Sequence, residues 1–388
     1  MSDDPDSPEY DWLYGSRKRS QKATENDAPE HTRVLGKLDH PRAPDLPRRD
    51  APQEAPREIA PTPGTEYRSK KRRIPWVRLV LLLVIAWVAF LVAVPVIAWQ
   101  KIAEVDAMPK GGRPADQPGT TYLLVGSDSR KGLSAEENKR LGTGGVGDVG
   151  QRTDTIMLLH TGDGPSLLLS IPRDSLVPVP GHGTTKINAA FAYGGPKLLI
   201  RTLEQTTGVK IDHYVEIGFG GFVNSVDAVG GVTICPTKKM VDRRANLNIR
   251  KGCQEVDGVT ALGYARSRHT SGIGDIDRAK HQREVVAAIG KEVVTPWTVL
   301  NPWRYHRIVN AGVSSLKVSD GTGPIDLGKF ALAMTRVNGK DGLTCSMPIR
   351  DLAVHWDRTR ALALLKLIKT DRTADIPKRL CLPTGINQ

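Results

Sequence analysis

The sequence predicts an α/β fold, a layered domain outside the cytoplasm tied to the membrane by one helix, and three observations carry that expectation. Residues 79–99 contain no charged residue. Beyond residue 119, short apolar runs of strand length alternate with stretches of helical periodicity, the signature of sheets covered by helices. Before residue 70 neither pattern occurs: residues 1–69 hold 10 of the 27 prolines, with many charges and few large apolar side chains.

Taken in order, residues 1–69 read as a disordered cytoplasmic tail, because they cannot bury enough apolar surface to offset the entropy of ordering. Within it, Tyr10–Gly15 (YDWLYG) is one apolar knot, a short docking motif or a chance cluster. Residues 70–78 form a basic juxtamembrane segment with Lys70, Lys71, Arg72, Arg73 and Arg78. Residues 79–99 read as a transmembrane helix: at about 1.5 Å per residue they match a hydrocarbon core of ~30 Å. They are apolar all round, unlike a core helix with a polar stripe. Trp76 and Trp99 stand near the two ends, where aromatic rings prefer the interface. No small-residue cleavage site follows the run, which argues against a cleaved signal peptide. The basic cluster on the N-terminal side places residues 1–78 inside and 100–388 outside by the positive-inside rule.

Residues 100–119 read as a linker rich in Pro, Gly and polar residues, and 120–388 as the catalytic domain. In that domain Thr121–Gly126, Thr155–His160 and Ser166–Ile171 read as strands, the last two joined by the turn Thr161–Pro165. Lys186–Tyr193 and Pro196–Thr207 read as helices, with Gly208 as a stop. His213–Ile217 reads as a strand, Gly221–Val229 as a short helix, Gly231–Cys235 as a strand. Helices are expected from Asp277 to about Val294, over Leu327–Val337 and over Arg358–Lys369. No internal repeat is evident.

The net charge is +13, and it is unevenly placed. Residues 1–69 carry 11 Lys/Arg against 14 Asp/Glu, and residues 70–78 carry +5, which leaves +11 for residues 79–388. An anionic partner for the large domain follows. Nothing resembles a zinc finger, a basic coiled-coil region or an aromatic RNA-binding strand, so nucleic acid is not the expected partner.

Charged clusters stand at strand ends, where open α/β sheets place their sites. They are Ser127-Asp128-Ser129-Arg130, Gln151-Arg152-Thr153-Asp154, and Pro172-Arg173-Asp174-Ser175. A fourth runs from Arg266-Ser267-Arg268-His269 to Asp277-Arg278 and Gln282-Arg283. Arg278 and Gln282 are four apart, on one face of a helix. Singly, such charges are usually turns or surface ion pairs. Lys186 and Asn188 need only start a helix. Together they bring at least six arginines and two or three carboxylates to one sheet. Guanidinium groups match phosphate oxygens in bidentate fashion. Carboxylates among them suit a hard cation, Mg²⁺ or Mn²⁺, that bridges the same phosphates. The residues therefore read as a pyrophosphate site with a metal.

The segments GSDSR, QRTDTIMLL, SIPRDS, KINAAFAYGG and YARSRHT…GDIDRAKHQREVV, in that order, resemble the signature blocks of the LytR–CpsA–Psr family of cell-wall glycopolymer ligases. The likeness runs from about Thr120 to Val294. The resemblance implies an α/β/α sandwich with an apolar channel for a polyprenyl tail. It implies transfer of an anionic glycopolymer, of teichoic acid, arabinogalactan or capsule type, from polyprenyl pyrophosphate to peptidoglycan. A phosphodiester forms and polyprenyl phosphate leaves. On this likeness Asp128 and Asp154 hold the metal, and Arg130, Arg152, Arg173, Arg266, Arg268, Arg278 and Arg283 bind pyrophosphate beside Gln282. Lys186 and Asn188 line the pocket. Arg266, Arg268 and Asp128 are the expected catalytic residues. Asp128 or Asp154 is the candidate base, and His269 is a further one. Two features depart from the family pattern. The loop Gly142–Gly150 is long and glycine-rich, and Asp277 precedes Arg278 where a small residue is common. A C-terminal partner domain found in actinobacterial relatives is not evident, and residues 295–388 read as an extension of the same domain.

Two rival readings use the same residues differently. A polyprenyl-pyrophosphate pyrophosphohydrolase would deliver the phosphate to water. A membrane-anchored regulatory protein would bind nucleic acid through its basic domain, which the expected topology places on the wrong side of the membrane.

The four cysteines, Cys235, Cys253, Cys345 and Cys381, include no C-x-x-C pair, which argues against zinc. An even number in an oxidising compartment suits two disulfides. Nearest-neighbour pairing, Cys235 with Cys253 and Cys345 with Cys381, costs least loop-closure entropy.

Overall fold

The structure, a computed structural model, describes residues 76–128, 135–141, 153–267, 275–337, 339, 342–351 and 353–386. The N-terminal tail and the cluster Lys70–Arg73 lie outside the described residues.

A mixed seven-stranded sheet forms the centre. Its strands are Ala103–Val105 (β1), Thr120–Ser127 (β2), Thr153–Thr161 (β3), Ser166–Ser170 (β4), His213–Gly218 (β7), Leu316–Ser319 (β12) and Gly342–Ser346 (β13). Their order is β1-β12-β7-β2-β3-β4-β13. Three two-stranded ribbons stand apart. They pair Leu176–Val179 with Gly183–Lys186 (β5, β6), Val232–Ile234 with Gln254–Val256 (β8, β11), and Met240–Asp242 with Leu247–Ile249 (β9, β10).

Alternation along the strands makes the sandwich. Leu123, Val125, Ile156, Leu158, Leu167 and Leu169 point to one face. There they meet Leu199 and Leu203 of Ile187–Thr207 (α3) and Leu364 and Ile368 of Arg358–Lys369 (α10). The intervening Tyr122, Leu124, Met157, Leu159 and Leu168 point the other way. They pack on Phe330, Ala333 and Met334 of Pro324–Arg336 (α9). A period of two on a sheet buried on both sides requires these two separate apolar sets. The result is the expected α/β/α layering. A further apolar cluster joins Phe219–Val229 (α4), Gly258–Arg266 (α5), Asp275–Val293 (α6) and Pro302–Ser315 (α8) to the β8–β11 and β9–β10 ribbons.

Several elements differ from the sequence reading. Part of the expected linker is a strand: β1 pairs in parallel with β12 and extends the sheet. The two helices expected at 186–207 form one element, α3, broken at Gly194–Gly195, where the backbone leaves helical geometry. Gly195 has φ 61°, the left-handed region that glycine reaches without a Cβ clash. Lys186 ends β6 rather than starting the helix, and caps α3 without a side-chain bond. Residues 295–388 complete the sandwich through β12, β13, α9 and α10.

The N-terminal helix Trp76–Trp99 (α1) is 24 residues long, and its apolar composition makes it long enough to cross a membrane. Two disulfides, Cys235–Cys253 and Cys345–Cys381, join the pairs that loop closure favours. The first closes 18 residues around the β8–β11 ribbon, the second 36 residues between β13 and the C-terminal segment.

Candidate functional site

One edge of the sheet collects the chemistry. Strands β2 and β3 run antiparallel with Ser127 opposite Thr153, and β3 and β4 run antiparallel with Met157 opposite Ser170. The C-terminal ends of β2 and β4 and the N-terminal end of β3 therefore meet. These ends carry Asp128, Arg173 and Asp154 respectively. A register shift after Gly126 ends the β2–β3 ladder just before Asp128.

Helix α6 covers this edge with Arg278, Gln282 and Arg283, all buried. Arg278, Gln282, Asp154, Arg173 and Asp174 line one pocket. Asp154 ties the group together. Arg173 donates to its Oδ1, and the Arg278 guanidinium lies 3.8 Å from the same oxygen. Arg173 also approaches Asp174 at 3.4 Å, and Asp174 meets Lys186 Nζ at 2.8 Å. Lys186 is exposed, so it stands at the rim.

Asp128 behaves differently from Asp154. Its Oδ1 is buried and accepts no hydrogen bond among the described residues. Burial, and then the neighbouring Asp154 carboxylate, push its carboxyl up to about 6, and the charges of Arg266 and Arg173 only partly counter this. Two carboxylates this close, one with an unsatisfied oxygen, fit a hard cation. Among the described residues no group of three or more His, Cys, Asp and Glu comes together. A cation here would complete its shell with water or phosphate oxygens, as Mg²⁺ commonly does with one or two carboxylates.

Arg266 ends α5. Its guanidinium lies 4.9 Å from the centre of the Phe219 ring and donates to the Leu141 carbonyl at 3.1 Å. Stacking and the backbone bond fix the planar group while leaving charge to act on Asp128. Arg283 donates to the Pro383 carbonyl at 2.6 Å through Nη2, its buried Nη1 has no partner among the described residues, and burial holds its guanidinium down to about 10. It ties α6 to the C-terminal segment. Arg130, Arg152, Arg268 and His269 lie outside the described residues, as do the Gly142–Gly150 loop and the Asp277 side chain.

Two site residues have no role in the sequence reading. Asp174, which stands in the cluster Pro172–Ser175, links Arg173 to Lys186. Val354 lines the same pocket at φ 64°, a strained setting for a β-branched residue. No feature of the sequence announces it.

Comparison with known proteins gives this edge its context. Residues 99–320 match the LytR_cpsA_psr family. The chain belongs to that family. It is 48% identical over 278 residues to the probable cell wall biosynthesis protein LcpB of Corynebacterium glutamicum, covering 69% of this chain and 65% of LcpB. It is 29% identical to the cell wall biosynthesis protein LcpA of the same organism, across 76% of this chain and 64% of LcpA. The chain thus spans just under two thirds of the length of these two relatives. Oceanobacillus iheyensis has a similar protein, named polyisoprenyl-teichoic acid–peptidoglycan teichoic acid transferase TagU, 32% identical over 60% of this chain and 74% of its own. Among solved structures, a LytR-Csp2A-Psr enzyme from Actinomyces oris matches with a TM-score of 0.57 at 21% identity, over 70% of this chain and 96% of that one. Bacillus subtilis TagV matches with 0.52 at 20% identity, over 68% of this chain and all of that one. These likenesses show that the family shares this fold.

Proposed function

We propose that this chain is a phosphotransferase that moves a phosphate-linked glycopolymer from polyprenyl pyrophosphate to peptidoglycan. The observation that carries the reading is the convergence of Asp128, Asp154, Arg173 and Arg278 at one sheet edge. Family membership and the similarity to the teichoic acid transferase TagU support the same chemistry.

Arg173 and Arg278 stand against Asp154. A pyrophosphate would draw the guanidinium groups to its own oxygens, where they offset charge as the bridging oxygen departs. Mg²⁺ or Mn²⁺ held by Asp128 and Asp154 would supply further positive charge to the phosphates. A peptidoglycan hydroxyl attacks the phosphorus that bears the sugar, a new P–O bond forms, and the bond to the bridging oxygen breaks. Polyprenyl monophosphate leaves with that oxygen. The hydroxyl proton needs a base, and Asp128 is the stronger candidate, because its buried Oδ1 has no hydrogen-bond partner among the described residues whereas Arg173 is bonded to Asp154.

We place this edge outside the cytoplasm. Helix α1 reads as a single span with Lys70–Arg73 on its inner side. The two disulfides on the C-terminal side suit an oxidising compartment.

Asp154→Asn tests the site. The amide keeps the shape but loses the charge that a hard cation and two arginines need. Transfer from a polyprenyl-pyrophosphate glycopolymer, with its Mg²⁺ stimulation, should be lost while the far-ultraviolet circular dichroism is unchanged. Normal Mg²⁺-stimulated turnover by this variant would remove Asp154 from the chemistry.

A further inference from the structure

The connection from α6 to α8 shows an unusual surface. Short helix Pro296–Leu300 (α7) and the first turn of α8 expose Val294, Pro296, Trp297, Val299, Leu300, Pro302 and Trp303. Trp303 is 84% exposed, Leu300 64% and Trp297 62%. The polar groups of this corner are turned inward. Thr298 is buried and bonds the Glu292 carbonyl at 3.3 Å, and Arg304 reaches Thr298 Oγ1 at 3.2 Å and Glu292 at 3.7 Å. Asn301 caps α8 by accepting from the backbone N–H groups of Trp303 and Arg304. A contiguous apolar face with its polar groups satisfied behind it is expected to be covered by something.

The neighbouring helix indicates what covers it. Tyr305 donates to the Leu91 carbonyl of α1 at 2.6 Å, and its ring lies 5.9 Å from Phe90. Farther along α8, Asn310 accepts from Lys101, just past the end of α1, at 3.2 Å. The two helices therefore run in the same direction, and the first turn of α8 is its end deeper along α1. Leu91 precedes Trp99 by eight residues, about 12 Å of helix. At ~36 Å, α1 exceeds a ~30 Å hydrocarbon core by only a few ångströms at each end. Tyr305 then sits below the outer hydrocarbon boundary, and Trp303 stands two residues earlier on the same helix.

We propose that the α7–α8 corner is a second membrane contact, with Trp297, Leu300 and Trp303 inserted in the outer leaflet beside α1. This rests on the reading of α1 as a span. Exposed tryptophans with the exposed basic side chains Lys291, His306 and Arg307 close by in sequence have the composition of a membrane anchor. Such an anchor fixes how the domain stands on the bilayer, so the catalytic edge would meet a lipid-linked donor at a set height.

The test uses the full chain in nanodiscs of brominated or plain phosphatidylcholine, comparing wild type with a W297F/W303F variant. Of the seven tryptophans the variant removes these two, so the difference in emission reports them alone. The expected difference emission is blue-shifted, loses most of its intensity in brominated lipid and resists aqueous iodide. A difference emission untouched by brominated lipid overturns the proposal. Iodide quenching would then indicate an open surface, and protection from both quenchers a second copy over the patch. Emission remaining in the variant comes from Trp12, Trp76, Trp87, Trp99 and Trp356, of which α1 holds three. Its partial loss in brominated lipid supports the span independently, and emission wholly untouched by brominated lipid would overturn span and anchor together.

Discussion

At the scale of single residues, one carboxylate organises the site. Asp154 holds Arg173 and faces Arg278, while Asp128 keeps a buried oxygen without a partner among the described residues. Residue types at strand ends made Asp128, Asp154 and Arg173 legible in the sequence. Their division of labour was not legible, because it depends on burial and on which guanidinium reaches which oxygen. Arg283 illustrates the difference: the family resemblance implies a pyrophosphate ligand, and the fold adds a bond from its Nη2 to the Pro383 carbonyl that no sequence pattern announces. Arg266→Ala should reduce transfer by the equivalent of about 2–4 kcal/mol of transition-state stabilisation, as for a lost preorganised donor. Arg266→Lys should recover only part of it, because an ammonium keeps the charge without the planar fork. Steady-state transfer rates check this, and an unimpaired Arg266→Ala enzyme would contradict it.

A second residue prediction concerns stability. His160 is buried in β3, with Nδ1 2.9 Å from Thr121 Oγ1 and Nε2 3.1 Å from Asp371. Burial lowers its pKa, and the Asp371 carboxylate opposes this without overcoming it. The fold therefore prefers the neutral ring more than the unfolded chain does. Its stability contribution is full above the ordinary histidine value of about 6.5 and is lost as pH falls below it. Urea midpoints from pH 7.5 to 5.5 should decline in wild type and less steeply in His160→Gln. Parallel slopes would contradict the assignment.

At the scale of elements, legibility followed burial and length. Strands β2, β3 and β4 are apolar and buried on both faces, so their runs stood out. Strands β1, β12 and β13 are short and less completely buried, and their places depend on partners far along the chain. Nothing local in Ala103–Val105 distinguishes it from a linker. Helix α3 shows a related effect: Gly194–Gly195 and Pro196 look like a boundary, yet the two halves form one element with a kink. The disulfides act at this scale too. Removing Cys345–Cys381 by paired serine substitution should cost about 2–4 kcal/mol. Removing Cys235–Cys253 should cost ~0.6 kcal/mol less, since its loop is half as long. Urea denaturation measures both, and non-reducing peptide mapping checks the connectivity. A Cys235–Cys345 cross-link would contradict it.

At the scale of the whole molecule, an apolar helix, a sandwich and an edge of carboxylates and arginines are what the proposed membrane-held transferase rests on. The apolar helix was legible because membrane thickness acts on sequence directly. The seating of α8 against α1 was not, since it arises from a contact between residues 305 and 91. The central claim is that a peptidoglycan hydroxyl, rather than water, receives the phosphorus. The most direct measurement is mass spectrometry of products formed by the full chain in ¹⁸O-water, from a polyprenyl-pyrophosphate glycopolymer, peptidoglycan oligomers and Mg²⁺. Transfer predicts a glycopolymer–peptidoglycan phosphodiester free of ¹⁸O, together with unlabelled polyprenyl monophosphate. A free glycopolymer phosphate carrying ¹⁸O, with no peptidoglycan adduct, would contradict it and identify a hydrolase.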